Sequence, residues 1–299
     1  MKDRSRLTTE KPNARTRNVD RRSTLEIVDA INAEDRRVAP AVARQRRQIA
    51  AAVDLVVAAF REGGRLFYVG AGTSGRLGVL DASECPPTFG VPPSMVQGII
   101  AGGRRALVRS AEGAEDRTAD GAAALRKRRV KSIDAVVGIA ACGVTPFVRG
   151  AIAHARKIGA RTIFLTCAPE GTEGVKADVI INPVVGPEVV TGSTRMKAGT
   201  ATKLVLNTLT TTAMIKLGKV YGNLMVDLNA TNVKLRDRAE RIVMAATELS
   251  RPQARRLLAR ARWRSKTAIL MHLAGLEFDE ARRRLKRSND SLRNALTDD

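Results

Sequence analysis

The chain has 299 residues, of which 44% are hydrophobic and only 3% aromatic, so we expect a sizeable α/β core built from aliphatic side chains, with a smaller appended unit. The formal net charge of +22 raises nucleic acid as a partner, but the arginines are dispersed among acids and stacking rings are scarce, which favours a solvated basic surface over specific nucleic-acid binding. The three cysteines lack C-x-x-C spacing and are odd in number, which argues against a disulfide framework, and only two histidines are present, which argues against a zinc site. No apolar run is long enough for a membrane span. We therefore predict a cytoplasmic protein.

The N-terminal region reads as a polar arm followed by helices. Residues 1–22 are polar and predict an extended arm. Ser23 and Thr24 are suited to cap a first helix, and Pro40 is expected to start a second helix that stops at Gly63 and Gly64. We assign residues 1–45 to an N-terminal arm and helix.

Strand and helix patterns alternate through the middle of the chain. Helical patterns around 74–82, 115–126 and 146–157 lie between five apolar runs, and this alternation predicts a parallel sheet of five strands with helices on both sides. The predicted strands are 65–69, 95–100, 134–140, 161–166 and 179–184. Ligands of such a sheet bind at the carboxyl ends of the strands.

The C-terminal part reads as helical. A long helix is predicted over 196–217, with further helical sequence to about Thr247. From Ser250, which forms a cap and early-helix pair with Pro252, we expect three short amphipathic helices. The predicted core of this bundle is Leu257, Leu258, Ile269, Leu270, Leu273, Leu276 and Leu285. The expected boundaries are therefore 46–245 for the α/β domain and 246–299 for the bundle.

A glycine-rich segment, residues 70–78, joins the first strand to a helix. Gly72 and Gly75 let the backbone turn and approach a ligand, while Thr73 and Ser74 stand at the helix start, where free N–H groups favour phosphate. The spacing also fits the dinucleotide pattern G-x-G-x-x-G, but the next strand ends in Ala-Gly-Gly and lacks the acidic residue that would bind a ribose. A phosphorylated small molecule is favoured, and a tight turn without a ligand is the alternative.

A second hydroxyl-rich segment precedes the long helix. Ser193 and Thr194, followed by Arg195 and Lys197, supply hydroxyls, positive charge and a helix N-terminus. Together with the glycine segment they are positioned to surround one phosphate. Taken alone, such a segment is more often just a helix cap, whereas beside the glycine segment a phosphate site is about as well supported.

Carboxylates stand near both segments. Glu84 follows the predicted first helix, in a loop that Pro86 and Pro87 would stiffen, and Glu112 and Glu115 precede another helix. Two carboxylates beside a sugar can divide the roles of acid and base. The alternative is that these groups only cap turns or charge helix ends.

Several of these segments together carry a family resemblance. They are residues 70–90, 112–116, 191–197 and 223–227, and with Thr9, Glu10 and Asn13 of the arm they closely resemble the N-acetylmuramic acid 6-phosphate etherases over nearly the whole chain. The resemblance implies a sugar isomerase (SIS) domain, a three-layer α/β sandwich, together with a ubiquitin-associated-like C-terminal bundle. It also implies a homodimer.

The resemblance implies a reaction without metal or cofactor. The D-lactyl ether of N-acetylmuramic acid 6-phosphate is cleaved by elimination and hydration, in the recovery of cell-wall sugars. Glu84 would be the acid that protonates the departing oxygen and Glu115 the second carboxylate, the base at C2, although one group could serve both steps. The residues assigned to substrate and phosphate are Gly72, Thr73, Ser74, Gly75, Cys142, Thr145, Ser193, Thr194 and Lys197.

One segment departs from the family pattern. Where the family usually has Ser-Gly-Arg-Thr-Pro, this chain has Cys142, Gly143, Val144, Thr145 and Pro146, so a hydroxyl expected at the phosphate is replaced by a weaker thiol. A regulator that binds a sugar phosphate without cleaving it is therefore an alternative function, and an aldose–ketose isomerase is a third. The presence of both glutamates favours the enzyme.

Overall fold

The computed structural model describes residues 4–228, 230 and 232–297. Its chain forms two compact units. The sheet unit comprises the residues up to Ser83 together with Ser94–Thr210, and the helical unit comprises Glu84–Pro93 together with the residues from Thr211 onward. These compact units reflect contacts within the chain and not function. The functional domain boundaries expected from the sequence therefore stay predictions.

The sheet unit begins with the arm, which contains short 3-10 turns rather than fully extended chain, at Thr8–Glu10, Ala14–Thr16 and Val19–Arg21. Helix α1, Thr24–Asp35, is capped as predicted, because Ser23 and Glu26 form a reciprocal capping box. The predicted single helix from Pro40 is wrong, since the structure has two.

Those two helices are α2, Val38–Ala43, and α3, Arg46–Arg61. Gln45 lies between them, and its side-chain oxygen accepts a hydrogen bond of 2.9 Å from the backbone N–H of Asn182. This bond ties the break between the helices to the segment that follows the last strand.

The five predicted strands are confirmed, each within a few residues of its expected bounds. They are β1 Leu66–Gly70, β2 Val96–Ile100, β3 Ala135–Ile139, β4 Arg161–Leu165 and β5 Val179–Ile181. All pairings are parallel and the order is β2-β1-β3-β4-β5. The carboxyl ends of β1 and β3, the two central neighbours, therefore open on the same edge of the sheet.

Helices cover both faces of the sheet. The remaining helices of this part of the chain are α4 Gly72–Phe89, α5 Thr118–Lys127, α6 Pro146–Lys157 and α7 Lys197–Lys216. Phe67 and Val136 pack in one apolar cluster with Val148 of α6. Tyr68 points to the opposite face, where a Cβ added to Gly78 of α4 would lie 2.8 Å from its Cβ. The unit is a three-layer sandwich.

The segment that carries Glu84 differs from the prediction. Helix α4 does not end before Glu84 but continues through Pro86 and Pro87 to Phe89, so the predicted stiff loop is wrong. Each proline gives up only one hydrogen bond, to the carbonyl four residues earlier. Cys85 and Phe89 on this last part of the helix are 2% and 8% exposed, and their burial stabilises the continued helix.

Among the described residues, the helical unit has four helices from Ser250 onward, where three were expected, and one helix before it, in the stretch predicted to be helical up to about Thr247. Its helices are α8 Val233–Thr247, α9 Arg251–Arg260, α10 Ser265–Leu273, α11 Phe278–Arg287 and α12 Leu292–Thr297. Ser250 caps α9, as predicted, and it forms a capping box with Gln253, which was not predicted. Helix α8 packs against α9 and α10, so it belongs to the same bundle.

The predicted bundle core is confirmed except at one position. Leu258, Ile269 and Leu270 are fully buried, Leu257 and Leu285 are also buried, and Leu276 packs against the cluster. Leu273, in the last turn of α10, is instead 44% exposed. Among the helices of the described residues, we find none with the length and apolar character needed to cross a bilayer.

Candidate functional site

The glycine segment after β1 needs glycine at three positions. Gly72 has a φ of 51°, in the left-handed region, and starts α4. A Cβ on Gly75 would lie 2.6 Å from Cγ1 of Ile100, and one on Gly70 would lie 2.6 Å from the backbone nitrogen of Gly75. Gly75 thus serves the close approach of helix and sheet, and Gly72 serves the turn.

A cavity of about 240 Å³ opens at the carboxyl ends of β1 and β3, as expected for a parallel sheet. It brings together seven of the predicted site residues, which are Gly72, Thr73, Ser74, Glu115, Cys142, Thr145 and Thr194. The N–H groups of the first turn of α4 have no acceptor within the helix, and the helix dipole favours an anion there. Hydroxyls from three segments therefore surround a space suited to an anionic ligand.

The start of α7 lies beside this cavity, but its N-terminus is already occupied. A Cβ on Gly199 would lie 3.6 Å from Cγ2 of Thr73, which places the two hydroxyl-rich segments side by side. However, the buried carboxylate of Glu188 accepts hydrogen bonds from the backbone N–H groups of Lys197, at 3.0 Å, and Ala198, at 2.9 Å. The carboxylate of Glu188 therefore binds the N–H groups at the start of α7 that we had predicted to bind phosphate.

Lys197 is directed into the interior of the sheet unit. Its fully buried ammonium donates to the carboxylate of Glu34 and to the carbonyl of Val185, the latter at 3.0 Å. Arg15 of the arm donates to the other oxygen of Glu34 at 2.5 Å. The hydrogen bond from Arg15, with the contribution of Lys197, lowers the pKa of Glu34 to about 2. The geometry gives Lys197 a structural partner, and neither Lys197 nor Ser193 lines the cavity.

The segment that departs from the family pattern is held by an arginine that the sequence analysis did not single out. Arg149 of α6 donates to the carbonyl of Gly143 at 2.8 Å and to that of Gly171 at 2.9 Å. These bonds hold the turn after β3, so that the half-buried Cys142 and the buried Thr145 face the cavity. The sequence signal that could have revealed this contact is the position of Arg149, a cation six residues after Gly143.

Glu115 is positioned through its backbone. Its carbonyl accepts a hydrogen bond of 3.0 Å from the N–H of Phe147, in the first turn of α6. Its exposed side chain lines the cavity and also a smaller adjoining one of about 130 Å³. Glu112 lines only the smaller cavity, and its carboxylate accepts from the hydroxyl of Ser110 at 2.6 Å. Of these two glutamates, only Glu115 lines the larger cavity.

The N-terminal arm supplies part of the cavity wall, which the sequence analysis did not predict. Arg4 and Glu10 line the cavity, and a Cβ on Gly192 would lie 3.2 Å from Oε2 of Glu10. The arm is fixed by Thr8, whose hydroxyl donates to Glu170 at 2.8 Å. The cavity thus receives one cation and one further carboxylate from the arm.

Glu84 belongs to the helical unit and is exposed on α4. One turn earlier, in the sheet unit, Asp81 is buried and accepts from the hydroxyl of Tyr68 at 2.8 Å and from Nδ2 of Asn207 at 2.6 Å. Burial raises the pKa of Asp81, although these donors and Thr210 oppose the rise. In the part of the chain that the structure describes, no three acidic, His or Cys side chains gather in a way that could hold a metal ion.

Comparisons with known proteins give relatives over nearly the whole length. A family model of the glucokinase regulatory protein N-terminal SIS domain matches residues 48–156. An N-acetylmuramic acid 6-phosphate etherase from Synechocystis sp. is 51% identical over 99% of this chain and 97% of its own. The etherase of the same name from Serratia proteamaculans is 55% identical over 97% of this chain and 98% of its own.

A solved structure gives the fold. A candidate phosphosugar isomerase involved in capsule formation from Bacteroides fragilis is 18% identical and superposes with a TM-score of 0.50, over 67% of this chain and 95% of that one. At this identity the likeness concerns the fold alone. It confirms the predicted α/β sandwich of the SIS type.

Proposed function

The chain belongs to the N-acetylmuramic acid 6-phosphate etherase family, and we infer that it cleaves the D-lactyl ether of N-acetylmuramic acid 6-phosphate, giving D-lactate and N-acetylglucosamine 6-phosphate. The observation that carries this conclusion is the identity above 50% with etherases that match 97–99% of this chain. Because these relatives are named as enzymes, the regulator without catalysis is not retained.

We propose that the phosphate of the substrate occupies the cavity of the sheet unit. The first turn of α4 offers free N–H groups, and Thr73, Ser74, Thr145 and Thr194 offer hydroxyls. Cys142 stands where the family usually has a serine and contributes a weaker hydrogen-bonding group. The geometry gives no support to phosphate binding by Lys197, whose ammonium is paired with Glu34.

The chemistry requires a base and an acid. Opening of the sugar ring places an aldehyde at C1, which makes the proton on C2 removable. Loss of that proton expels lactate from C3 when the leaving oxygen is protonated, and water then adds at C3. We assign the base to Glu115, which lines the cavity, and the acid to Glu84, on the match of both to the family motifs. The same resemblance supports a cytoplasmic homodimer, which we also propose.

The test measures D-lactate released from N-acetylmuramic acid 6-phosphate. We expect Glu84→Gln and Glu115→Gln each to slow release at least about a hundredfold, the scale for losing a positioned proton-transfer group. Glu112→Gln is the matched control for Glu115, because it lies three residues away and its carboxylate is paired with Ser110. Circular dichroism checks that each variant is folded.

Isotopes separate the steps of the mechanism. In heavy-oxygen water the label must enter the sugar, since the C3–O bond breaks and solvent oxygen is added. Label on lactate would contradict elimination and hydration. Loss of C2 proton exchange in Glu115→Gln, with exchange retained in Glu84→Gln, identifies Glu115 as the base, and the reverse pattern would exchange the two roles.

A further inference from the structure

The helical unit contains a cavity of about 1090 Å³ whose lining residues have no role in the reaction proposed above. Basic side chains outnumber acidic ones in its lining. Those used below are Lys219, Arg264, Lys266, Arg282, Arg283 and Lys286. The volume is sufficient for a small metabolite, and the charge suggests an anionic one.

Charges in the interior of this cavity are compensated. Lys266, which is 3% exposed, donates to Asp227 at 2.5 Å and to the backbone carbonyl of Asp290 at 2.7 Å. Lys219 lies 3.1 Å from the carboxylates of both aspartates. Although burial opposes ionisation, the two lysines lower the pKa of Asp290. These two cations and two anions neutralise one another.

The cations at the mouth are not compensated. Arg264, Arg282, Arg283 and Lys286 are exposed, and none forms an ion pair with any residue that the structure describes. The one acidic side chain that lines the cavity beyond the interior pairs is Asp279. The mouth therefore carries a net positive charge, which raises the local concentration of anions.

The start of α10 lies in the same lining and has unused hydrogen-bonding groups. Lys266 donates its backbone N–H to Val226 at 3.1 Å, whereas the N–H groups of Ser265 and Thr267 donate to no described residue, and Arg264 gives no side-chain cap. The hydroxyl of Ser265, a residue only 1% exposed, also has no partner. A buried hydroxyl without a partner costs stability, and a bound oxygen would remove that cost.

We propose that this cavity binds a small phosphorylated anion, with its phosphate at the N-terminus of α10. The unpaired N–H groups and the hydroxyl of Ser265 donate to the phosphate oxygens, and Arg283 with its neighbours supplies the counter-charge. The site is separate from the phosphate cavity of the sheet unit, since the two share no lining residue.

The sequence contains a built-in reporter for the test. Trp263 is the single tryptophan of the chain and lines this cavity, so its fluorescence responds to a ligand there. The protein is titrated with inorganic phosphate and with glucose 6-phosphate, at an ionic strength held constant with sodium chloride. We expect a saturable change with either probe, and tighter binding of glucose 6-phosphate would show that the cavity also recognises the sugar.

Variants locate the binding site. Ser265→Ala and Arg283→Gln should each raise the apparent Kd at least about tenfold, the effect of losing one charge-assisted hydrogen bond. Arg256→Gln, an exposed arginine of α9 outside the lining, is the matched control and should leave the Kd unchanged. Ser74→Ala should also leave it unchanged, because Ser74 belongs to the other cavity.

Three results would overturn the proposal. The first is the absence of a saturable change with both probes, and the second is an equal loss of affinity in Arg256→Gln and Arg283→Gln. The third is a single-stranded oligonucleotide that binds more tightly than either probe, which would make the basic mouth a nucleic-acid surface. Circular dichroism verifies that Ser265→Ala and Arg283→Gln remain folded.

Discussion

Replacement of Glu34 by glutamine tests the buried charge cluster that joins the arm to the start of α7. In the folded protein the pKa of Glu34 is about 2, against an ordinary value of 4.5. At about 1.4 kcal/mol per pKa unit, this difference corresponds to about 3 kcal/mol of stability. Glu34→Gln also leaves the ammonium of Lys197 buried and unpaired, so we expect a loss of about 3 to 5 kcal/mol at pH 7.

The free energy of unfolding is measured by urea titration with far-UV circular dichroism. Asp29→Asn is the matched control, because Asp29 is exposed on the same helix, and it should change stability by less than about 0.5 kcal/mol. Adding Lys197→Met to Glu34→Gln should recover part of the lost stability, since the double variant no longer has the buried, unpaired ammonium of Lys197.

The pH dependence provides a second readout with a defined sign. The folded-state pKa of Glu34 is lower than the unfolded one, so its contribution is complete above about pH 4.5 and is lost as the pH falls toward 2. The difference in stability between the unaltered protein and Glu34→Gln should therefore shrink over this range. A difference that stays constant with pH, or a loss no larger than that of Asp29→Asn, would refute this account of the cluster.

Three further predictions concern the cavity and the helix packing. Cys142→Ser should lower the KM for the phosphorylated substrate up to about tenfold, because a hydroxyl is the stronger partner for phosphate; an unchanged KM would remove Cys142 from the phosphate site. Ser74→Ala should weaken phosphorylated ligands by about 1 to 3 kcal/mol, measured by calorimetry, whereas an equal loss with the unphosphorylated sugar would contradict the assignment. Gly121→Ala should lower the urea stability by more than about 2 kcal/mol, because its Cβ would lie 1.9 Å from the carbonyl oxygen of Phe147; Ala123→Gly, on the exposed side of α5, is the control and should cost about 1 kcal/mol or less.

The sheet could be predicted from the sequence because the patterns that indicate its strands and helices are local in the chain. Each strand is a short apolar run, and α6 has the bounds expected from Pro146 at its start to Lys157 at its end. The glycine segment was equally readable, since Gly72 and the hydroxyls that follow it are consecutive. Local patterns misled at Glu84, where two prolines suggested a loop but burial of neighbouring side chains continues the helix.

The partners of the site residues could not be predicted because they are distant in the chain. Lys197 pairs with Glu34, 163 positions away, and nothing in its neighbours distinguishes a phosphate ligand from a buried ion pair. Glu188 was overlooked for a related reason, since its role depends on how the segment before α7 folds back on that helix. The sequence suggested an extended arm because Thr8, Asn13 and Thr16 are held by groups from residues 170 to 189, far away in the chain.

The docking of the arm also has a consequence for the order of folding. Arg4 and Glu10 are synthesised well before Glu170, the residue 162 positions later in the chain to which Thr8 bonds. Closing so long a loop is entropically costly and must wait until β4 and the segment after it have been synthesised. The part of the cavity wall that Arg4 and Glu10 form is therefore completed late, although these residues are synthesised before β4.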